Sequence, residues 1–264
     1  MKVLITGAAG TIGTMLRERL ASADRTLRLL DVVEPPAAAP GEPVEVLPAT
    51  SVTHLPALRF ACEGVDAVIH LGGIPLEDHW EKILAVNIDG TRAVLEAARQ
   101  AGVPRVILAS SNHAVGFERR SEAPPGGLPA TVPPKPDTYY GMSKAAMEAL
   151  GSLYHSRFGM DVICLRIGSC RDQPVAASEL PIWLSSDDMG RLAVAALETP
   201  SPGFRIVWGV SRNSSGWWSL AEGEAIGFHP QDDSAAFAAN VDQDDTTNDL
   251  LGADFCRSPL GEPF

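Results

Sequence analysis

Apolar positions along this chain follow two alternating periods. Short, nearly continuous apolar runs recur at Val3-Leu4-Ile5, Leu27-Arg28-Leu29-Leu30, Val65 to Leu71, Val106-Ile107-Leu108-Ala109, Asp161 to Ile167 and Phe204 to Val210. Between them, apolar residues fall at helical spacing: Met15, Leu16 and Leu20; Leu55 to Cys62; Trp80 to Gln100; the segment from Tyr140 through Tyr154; and Met189, Leu192, Val194 and Leu197 behind a Ser185-Ser186-Asp187-Asp188 capping sequence. Buried strands alternating with helices predict an α/β fold with a parallel sheet covered on both faces. Residues 34–50, rich in Pro, Ala and Glu, read as a loop with a short extended piece at Val44-Glu45-Val46-Leu47. After residue 170 the pattern weakens, and the acidic tail from Asp232 reads as a short helix and a docked extension.

The first strand runs straight into Gly7-Ala8-Ala9-Gly10-Thr11-Ile12-Gly13 and then a helix. Gly7 suits the tight turn, Gly10 the close approach of backbone to a pyrophosphate, and Gly13 close helix–strand packing, while the helix N-terminus offers N–H groups and a positive dipole. The second strand ends in Asp31, at the distance where a carboxylate meets the adenosine ribose hydroxyls and repels a 2′-phosphate. This combination points to a dinucleotide, NAD rather than NADP. A second glycine turn, Leu71-Gly72-Gly73, closes the third long strand. The expectation is a Rossmann-type doubly wound parallel sheet with a small C-terminal substrate-binding lobe. Residues 1–169 form the NAD-binding domain, and residues 170–264 the lobe and extension, with sheet elements returning to the main domain.

Tyr140 and Lys144 lie four residues apart, on one face of a helix. A phenol titrates near pH ~10, and a neighbouring ammonium favours phenolate, so the pair reads as a catalytic base. Ser110-Ser111-Asn112-His113 follows a central strand at its carboxyl end, where ligands bind in such sheets. Asn87 stands in an apolar helical stretch and must be hydrogen-bonded, bracing backbone or an active-site residue. His70 reads as a satisfied buried imidazole. Arg119 to Pro136, dense in Pro and Gly, has the length of a substrate loop or a surface excursion, and composition does not choose between them. Trp217-Trp218 reads as core anchoring before a sugar-binding wall.

Composition removes other classes. With 264 residues, 45% hydrophobic and 20% charged, the chain is an ordinary globular one. A net charge of −12 argues against nucleic acid and anionic membrane surfaces. No apolar run approaches a membrane span, and the first residues lead into a glycine turn instead of a signal sequence, so a cytoplasmic protein is expected. Cys62, Cys164, Cys170 and Cys256 lack paired spacing and read as buried thiols, with no metal site.

Taken in order, Gly7-Ala-Ala-Gly10-Thr-Ile-Gly13, Asp31, His70-Leu-Gly-Gly, Asn87 and Tyr140-Gly-Met-Ser-Lys144 resemble the extended short-chain dehydrogenase/reductases, the NAD-dependent epimerase/dehydratase family. Ala109 to His113, Leu165 to Cys170, Val207-Trp208-Gly209 and Gly216-Trp217-Trp218 are similar to the bacterial uronate dehydrogenases within it, which oxidise C1 of a cyclic hexuronic acid to its lactone. The resemblance implies that Gly7, Gly10, Thr11, Ile12, Gly13, Asp31, Leu71, Gly72 and Asn87 serve the cofactor. Tyr140 would be the base, and Lys144 its partner at the nicotinamide ribose. Ser111 and Asn112 would share hydroxyl polarisation, Asn112 standing where the superfamily usually has serine. Ser111, Asn112, His113, Tyr140 and Ser169 would contact the sugar. The alanine-rich helix surface at Ala145, Ala146 and Ala149 would serve a homo-oligomer.

Three positions depart from that pattern. Ser178 falls where the family places the arginine that grips the uronate carboxylate, leaving Arg171 on the same loop as the replacement cation. Pro75 replaces a serine, and Ser51 an acidic residue near the adenine. The other readings are an epimerase or dehydratase that recycles its NAD, which needs a larger C-terminal lobe, a dehydrogenase for another sugar or ketone, and a dinucleotide-sensing regulator, against which the tyrosine–lysine pair counts.

Overall fold

The computed structural model describes residues 1–243 and 249–264. Among the described residues the strands are β1 (Lys2–Thr6), β2 (Thr26–Leu30), β3 (Val44–Val46), β4 (Ala67–His70), β5 (Arg105–Ser111), β6 (Asp161–Ile167), β7 (Ser169–Cys170), β8 (Trp183–Leu184) and β9 (Phe204–Gly209). Seven form one sheet in the order β3-β2-β1-β4-β5-β6-β9, parallel at every step, while β7 and β8 pair separately. The order runs outward from β1 in one direction and from β4 in the other. Adjacent crossovers therefore diverge between β1 and β4, opening a crevice at their carboxyl ends.

The helices are α1 (Thr11–Leu20), α2 (Leu55–Cys62), α3 (Trp80–Ile83), α4 (Gly90–Gln100), α5 (Tyr139–Phe158), α6 (Ser186–Glu198) and the short α7 (Ala221–Glu224). Strand alternation sorts the core into two layers. Ile107 and Ala109 of β5 join Leu16 and Leu20 of α1 and Leu192 and Ala196 of α6 on one face. Val106 and Leu108 join Leu58 of α2, Val94 of α4, and Met147 and Tyr154 of α5 on the other. The expected capping sequence before α6 is realised, with Ser185 Oγ accepting from Asp188 N at 2.9 Å. The helical stretch 80–100 is not uniform, because Leu84–Asp89 between α3 and α4 adopts π-helical hydrogen bonding.

A third cluster, built on Val115, Leu128, Ala130, Trp208 and Trp218, closes the carboxyl side of the sheet near β9. Trp208 Nε1 donates to Leu128 O at 2.8 Å, and Leu128 N to Trp217 O at 2.8 Å. The Pro- and Gly-rich stretch is thus pinned into the core, and Trp218 is an anchor within it. Of the four cysteines, Cys62 and Cys164 are buried as expected. Cys170 and Cys256 are only partly so, because Cys170 sits in the two-residue strand β7 outside the seven-stranded sheet and Cys256 in the 3₁₀ turn Ala253–Arg257. Among the described residues, no helix is long and apolar enough to cross a membrane.

Candidate active site

The loop after β1 meets the loop after β4. Gly7 has φ +73°, and a Cβ there would lie 2.6 Å from Gly72 N; at Gly13 a Cβ would lie 2.6 Å from Ala8 Cα. Only hydrogen fits at either position, which brings the start of α1 against both strands. Gly10 caps α1 without a side-chain hydrogen bond and no acidic residue occupies the first turn, so the leading N–H groups, including those of Thr11 and Ile12, carry an uncompensated positive end. Asp31 closes the crevice on the β2 side. Its carboxylate accepts from Ala9 N at 2.8 Å and Val32 N at 2.6 Å, and the neighbouring Val32 and Val33 are each 64% exposed. A side-chain-free cradle, a bare helix N-terminus, a carboxylate and an exposed apolar step fit a dinucleotide with its pyrophosphate on α1 and its adenosine beyond β2.

The candidate reactive groups gather at the carboxyl end of β5. Thr138 caps α5 by accepting from Gly141 N at 3.0 Å, which places Tyr140 in the first turn of that helix, within hydrogen-bond reach of Ser111. Tyr140 is 8% exposed and Lys144 6%. Burial pushes the phenol up to about 12; the Ser111 hydroxyl, hydrogen-bonded to it, pulls the other way, and the charge of Asp137 adds to the rise. The expected lowering of Tyr140 by its lysine is therefore not present. The reason is geometric: Lys144 Nζ lies 5.4 Å from the Tyr140 ring centre and donates instead to Ala109 O at 2.7 Å. Burial also lowers Lys144 to about 8, against the raising influence of Glu148. Ser111 Oγ donates to Asn112 Oδ1 at 3.2 Å and accepts from His113 N at 3.2 Å.

Behind these groups lies a hydrogen-bonded layer. Ser110 Oγ donates to Glu148 Oε1 at 2.6 Å, and Arg166 grips the same carboxylate through Nε at 2.9 Å and Nη2 at 2.8 Å. Both partners are buried, so the bidentate geometry and the extra bond from Arg166 to Val132 O are what make the burial tolerable. Asn87, in the π-helical segment, accepts from Ile74 N at 2.7 Å and donates to Ile74 O at 3.0 Å and Ser143 Oγ at 3.1 Å, tying the loop after Gly73 to α5. His70 is satisfied as expected. Thr6 Oγ1 receives Gly72 N at 3.3 Å and meets His70 Nδ1 at 2.7 Å, while His70 Nε2 meets Thr91 Oγ1, which gives its own hydrogen to Asn87 O at 2.6 Å. This direction of donation makes His70 the Nε2–H tautomer, and burial holds it down at about 3.

The remaining candidates are placed less directly. Ser169 lies in β7, half-buried and paired with Trp183. Arg171 forms an ion pair with Glu179 at 3.2 Å, and Ser178 stands in the 3₁₀ turn Ala177–Ile182 beside that glutamate. His113 donates or accepts at Nδ1 against Asp137 Oδ2 at 2.6 Å and stacks on Phe255, ring centres 4.0 Å apart. Several members were missed from sequence. Glu77, 2% exposed, accepts from Tyr140 N at 2.7 Å and from Gly261 N at 2.8 Å, fastening the C-terminal tail to the start of α5. Nothing in the local sequence marks it. Glu148, one turn beyond Lys144, and Arg166, a charge inside an apolar strand, carried readable signals, as did Asp137 ahead of the helix cap.

Residues 3–170 match the model of the NAD dependent epimerase/dehydratase family. The uronate dehydrogenase of Pseudomonas syringae pv. tomato is 39% identical over 99% of this chain and 95% of its own. An NAD-dependent glucose-6-phosphate dehydrogenase of Haloferax volcanii is 37% identical over 89% of this chain and 95% of its own. Among solved structures, a tyrosine-to-alanine variant of uronate dehydrogenase from Agrobacterium tumefaciens complexed with NAD superimposes with a TM-score of 0.89 at 35% identity, covering 98% of this chain and 97% of that one. The glycine cradle, the crevice between β1 and β4 and the full-length similarity agree, and the chain is an NAD-dependent enzyme that belongs to the NAD dependent epimerase/dehydratase family.

Proposed function

We propose that this enzyme oxidises C1 of a hexuronic acid to the corresponding lactone, with Tyr140 as the base. The observation that carries the reading is the burial of Tyr140 against Ser111 at the carboxyl end of β5, one helical turn from Lys144 and next to the glycine crevice. Gly7, Gly10, Thr11, Ile12 and Gly13 hold the pyrophosphate, Asp31 the adenosine ribose, and Leu71 and Gly72 the far wall, while Asn87 fixes the loop that follows. The cofactor, when bound, supplies a hydride acceptor. Tyr140 takes the proton of the substrate hydroxyl. Because burial opposes phenolate, the ammonium of Lys144 supplies the compensating charge from below. Ser111 gives its hydrogen to Asn112 Oδ1, so Asn112 presents Nδ2 as the donor and the Ser111 hydroxyl turns to the substrate oxygen as negative charge develops there. His113, Ser169 and the 170–264 segment complete the sugar side. The full-length similarity to uronate dehydrogenases supports a uronate as the substrate.

A second reading has its own observation. Ser178 offers no guanidinium, and the Arg171 guanidinium pairs with Glu179 at 3.2 Å, which favours a substrate that needs no carboxylate-gripping cation from that loop. Relatives named for glucose 6-phosphate and L-arabinose, at 37% and 34% identity, make a sugar without a C6 carboxylate the alternative. Following NADH formation with D-glucuronate, D-galacturonate, L-arabinose, D-glucose and glucose 6-phosphate separates the two. A kcat/KM higher for the uronates supports the first reading; turnover of the other sugars without the uronates replaces it with the second.

A further inference from the structure

A buried carboxylate stands behind His113, and the surrounding backbone is built to admit it. Asp137 has a fully buried side chain, whereas the His113 side chain remains 17% exposed. Three separate segments each place a glycine against the carboxylate. A Cβ at Gly116 or Gly252 would overlap Asp137 Oδ2, and one at Gly141 would lie 2.6 Å from Oδ1. Loop 116, the first turn of α5 and the C-terminal tail therefore all leave room for this one group.

Its two oxygens have distinct partners. Oδ1 accepts the Thr138 hydroxyl at 2.9 Å, and that hydroxyl oxygen is already the α5 cap, receiving Gly141 N at 3.0 Å. Oδ2 meets His113 Nδ1 at 2.6 Å. An ionised carboxylate only accepts, so the proton lies on Nδ1. The ring is held by Phe255 on its face, at 4.0 Å, and by the edge-on Tyr140 ring at 5.8 Å. The Nδ1 edge is turned inward onto Asp137, and Nε2, on the far side of the ring, has no hydrogen-bond partner among the described residues.

We infer that Asp137 is a positioning residue for substrate: it fixes His113, whose ring packs edge-on to that of Tyr140, as the Nδ1–H tautomer so that Nε2 accepts a hydrogen bond from a ring hydroxyl of the sugar. The histidine thus selects a hydroxyl donor and not a carboxylate, which needs donors. The inference rests on the sugar-dehydrogenase reading only for the class of ligand.

Asp137→Asn tests it. The Thr138 hydroxyl needs an acceptor, so the amide oxygen stays on Thr138 and the amide N–H₂ faces His113 Nδ1, forcing the Nε2–H tautomer, as Asp-to-Asn changes do behind other oriented histidines. Long-range ¹H–¹⁵N spectra of ¹⁵N-histidine protein, with His113 assigned from His113→Gln among the six histidines, read the tautomer directly. Expected are Nδ1–H in the parent and Nε2–H in Asp137→Asn, with KM for the oxidised sugar raised about 10- to 100-fold and KM for NAD unchanged. An Nε2–H parent spectrum overturns the inference whether or not the variant folds, and so does an unchanged sugar KM in a variant whose tautomer has switched. If the parent turns over no uronate, the proposed uronate substrate fails by itself; the parent tautomer, and KM for whichever aldose is oxidised, still decide the role of Asp137.

Discussion

Lys144 donates its ammonium to the carbonyl oxygen of Ala109 at 2.7 Å, across the gap between α5 and the end of β5. The bond holds a buried positive charge beneath Tyr140 without neutralising it, since a carbonyl accepts a proton's hydrogen bond but carries no net charge. It also ties α5 to the strand that ends in Ser111.

Tyr140→Phe removes the proton acceptor while keeping the ring against His113, so turnover falls by about 10³-fold or more while NADH affinity stays within about twofold. Lys144→Met, by contrast, lowers both. Steady-state rates beside fluorescence titration of NADH distinguish the two patterns, and equal loss of binding in Tyr140→Phe would make the tyrosine structural.

The pH profile follows from the two shifts. Under the proposed mechanism, oxidation requires Tyr140, held at about 12, to be ionised and Lys144, held at about 8, to be charged. The fraction with both conditions met climbs about tenfold per pH unit up to about pH 8 and then levels, because each further gain in phenolate is matched by loss of ammonium. kcat/KM for oxidation measured from pH 6 to 10 is expected to break near 8 in the parent, and a profile flat below pH 8 would contradict the assignment.

Asn87→Ala strips partners from Ile74 N, Ile74 O and Ser143 Oγ together. Leaving those groups unsatisfied costs about 1–3 kcal/mol. Urea unfolding should show that loss with an unchanged m-value, accompanied by a higher KM for NAD because the loop after Gly72 is released.

Asp31→Ser removes the acceptor for Ala9 N and the charge that repels a 2′-phosphate. KM for NAD should rise about tenfold while KM for NADP falls, so the preference between them narrows, with stability changed by less than ~1 kcal/mol. Retention of the full NAD preference would place the ribose elsewhere.

His70 makes the fold acid-sensitive. Its folded value is about 3, below the ordinary 6.5, so between those values the unfolded chain binds a proton that the native one refuses. Unfolding free energy therefore falls as pH drops through this window, by on the order of 4 kcal/mol across all of it. Comparing unfolding of the parent and His70→Asn at pH 7 and pH 4.5 should show a smaller acid loss in the variant.

The layers of this molecule were readable from local pattern: β1 with its glycine turn, α2 at Leu55–Cys62, the Ser185 cap of α6 and the helix carrying Tyr140 all lie where periodicity and capping chemistry put them. The π-helical turn at Leu84–Asp89 was not readable, because a change from α to π bonding leaves the apolar spacing almost untouched.

The sequence by itself determined the parallel sheet, the glycine crevice and the placing of Tyr140 and Lys144 one turn apart on a helix, since each is written in spacings of a few residues that one strand, turn or helix converts directly into geometry. The tertiary structure alone decided where charges point. It sent Lys144 to Ala109 and Arg171 to Glu179. It also brought Glu77 and Gly261, 184 positions apart, onto one carboxylate and placed Gly252 beside Asp137. Long flexible side chains and distant segments have no local period; their partners are chosen by burial, which makes every desolvated charge find the acceptor that packing has already delivered.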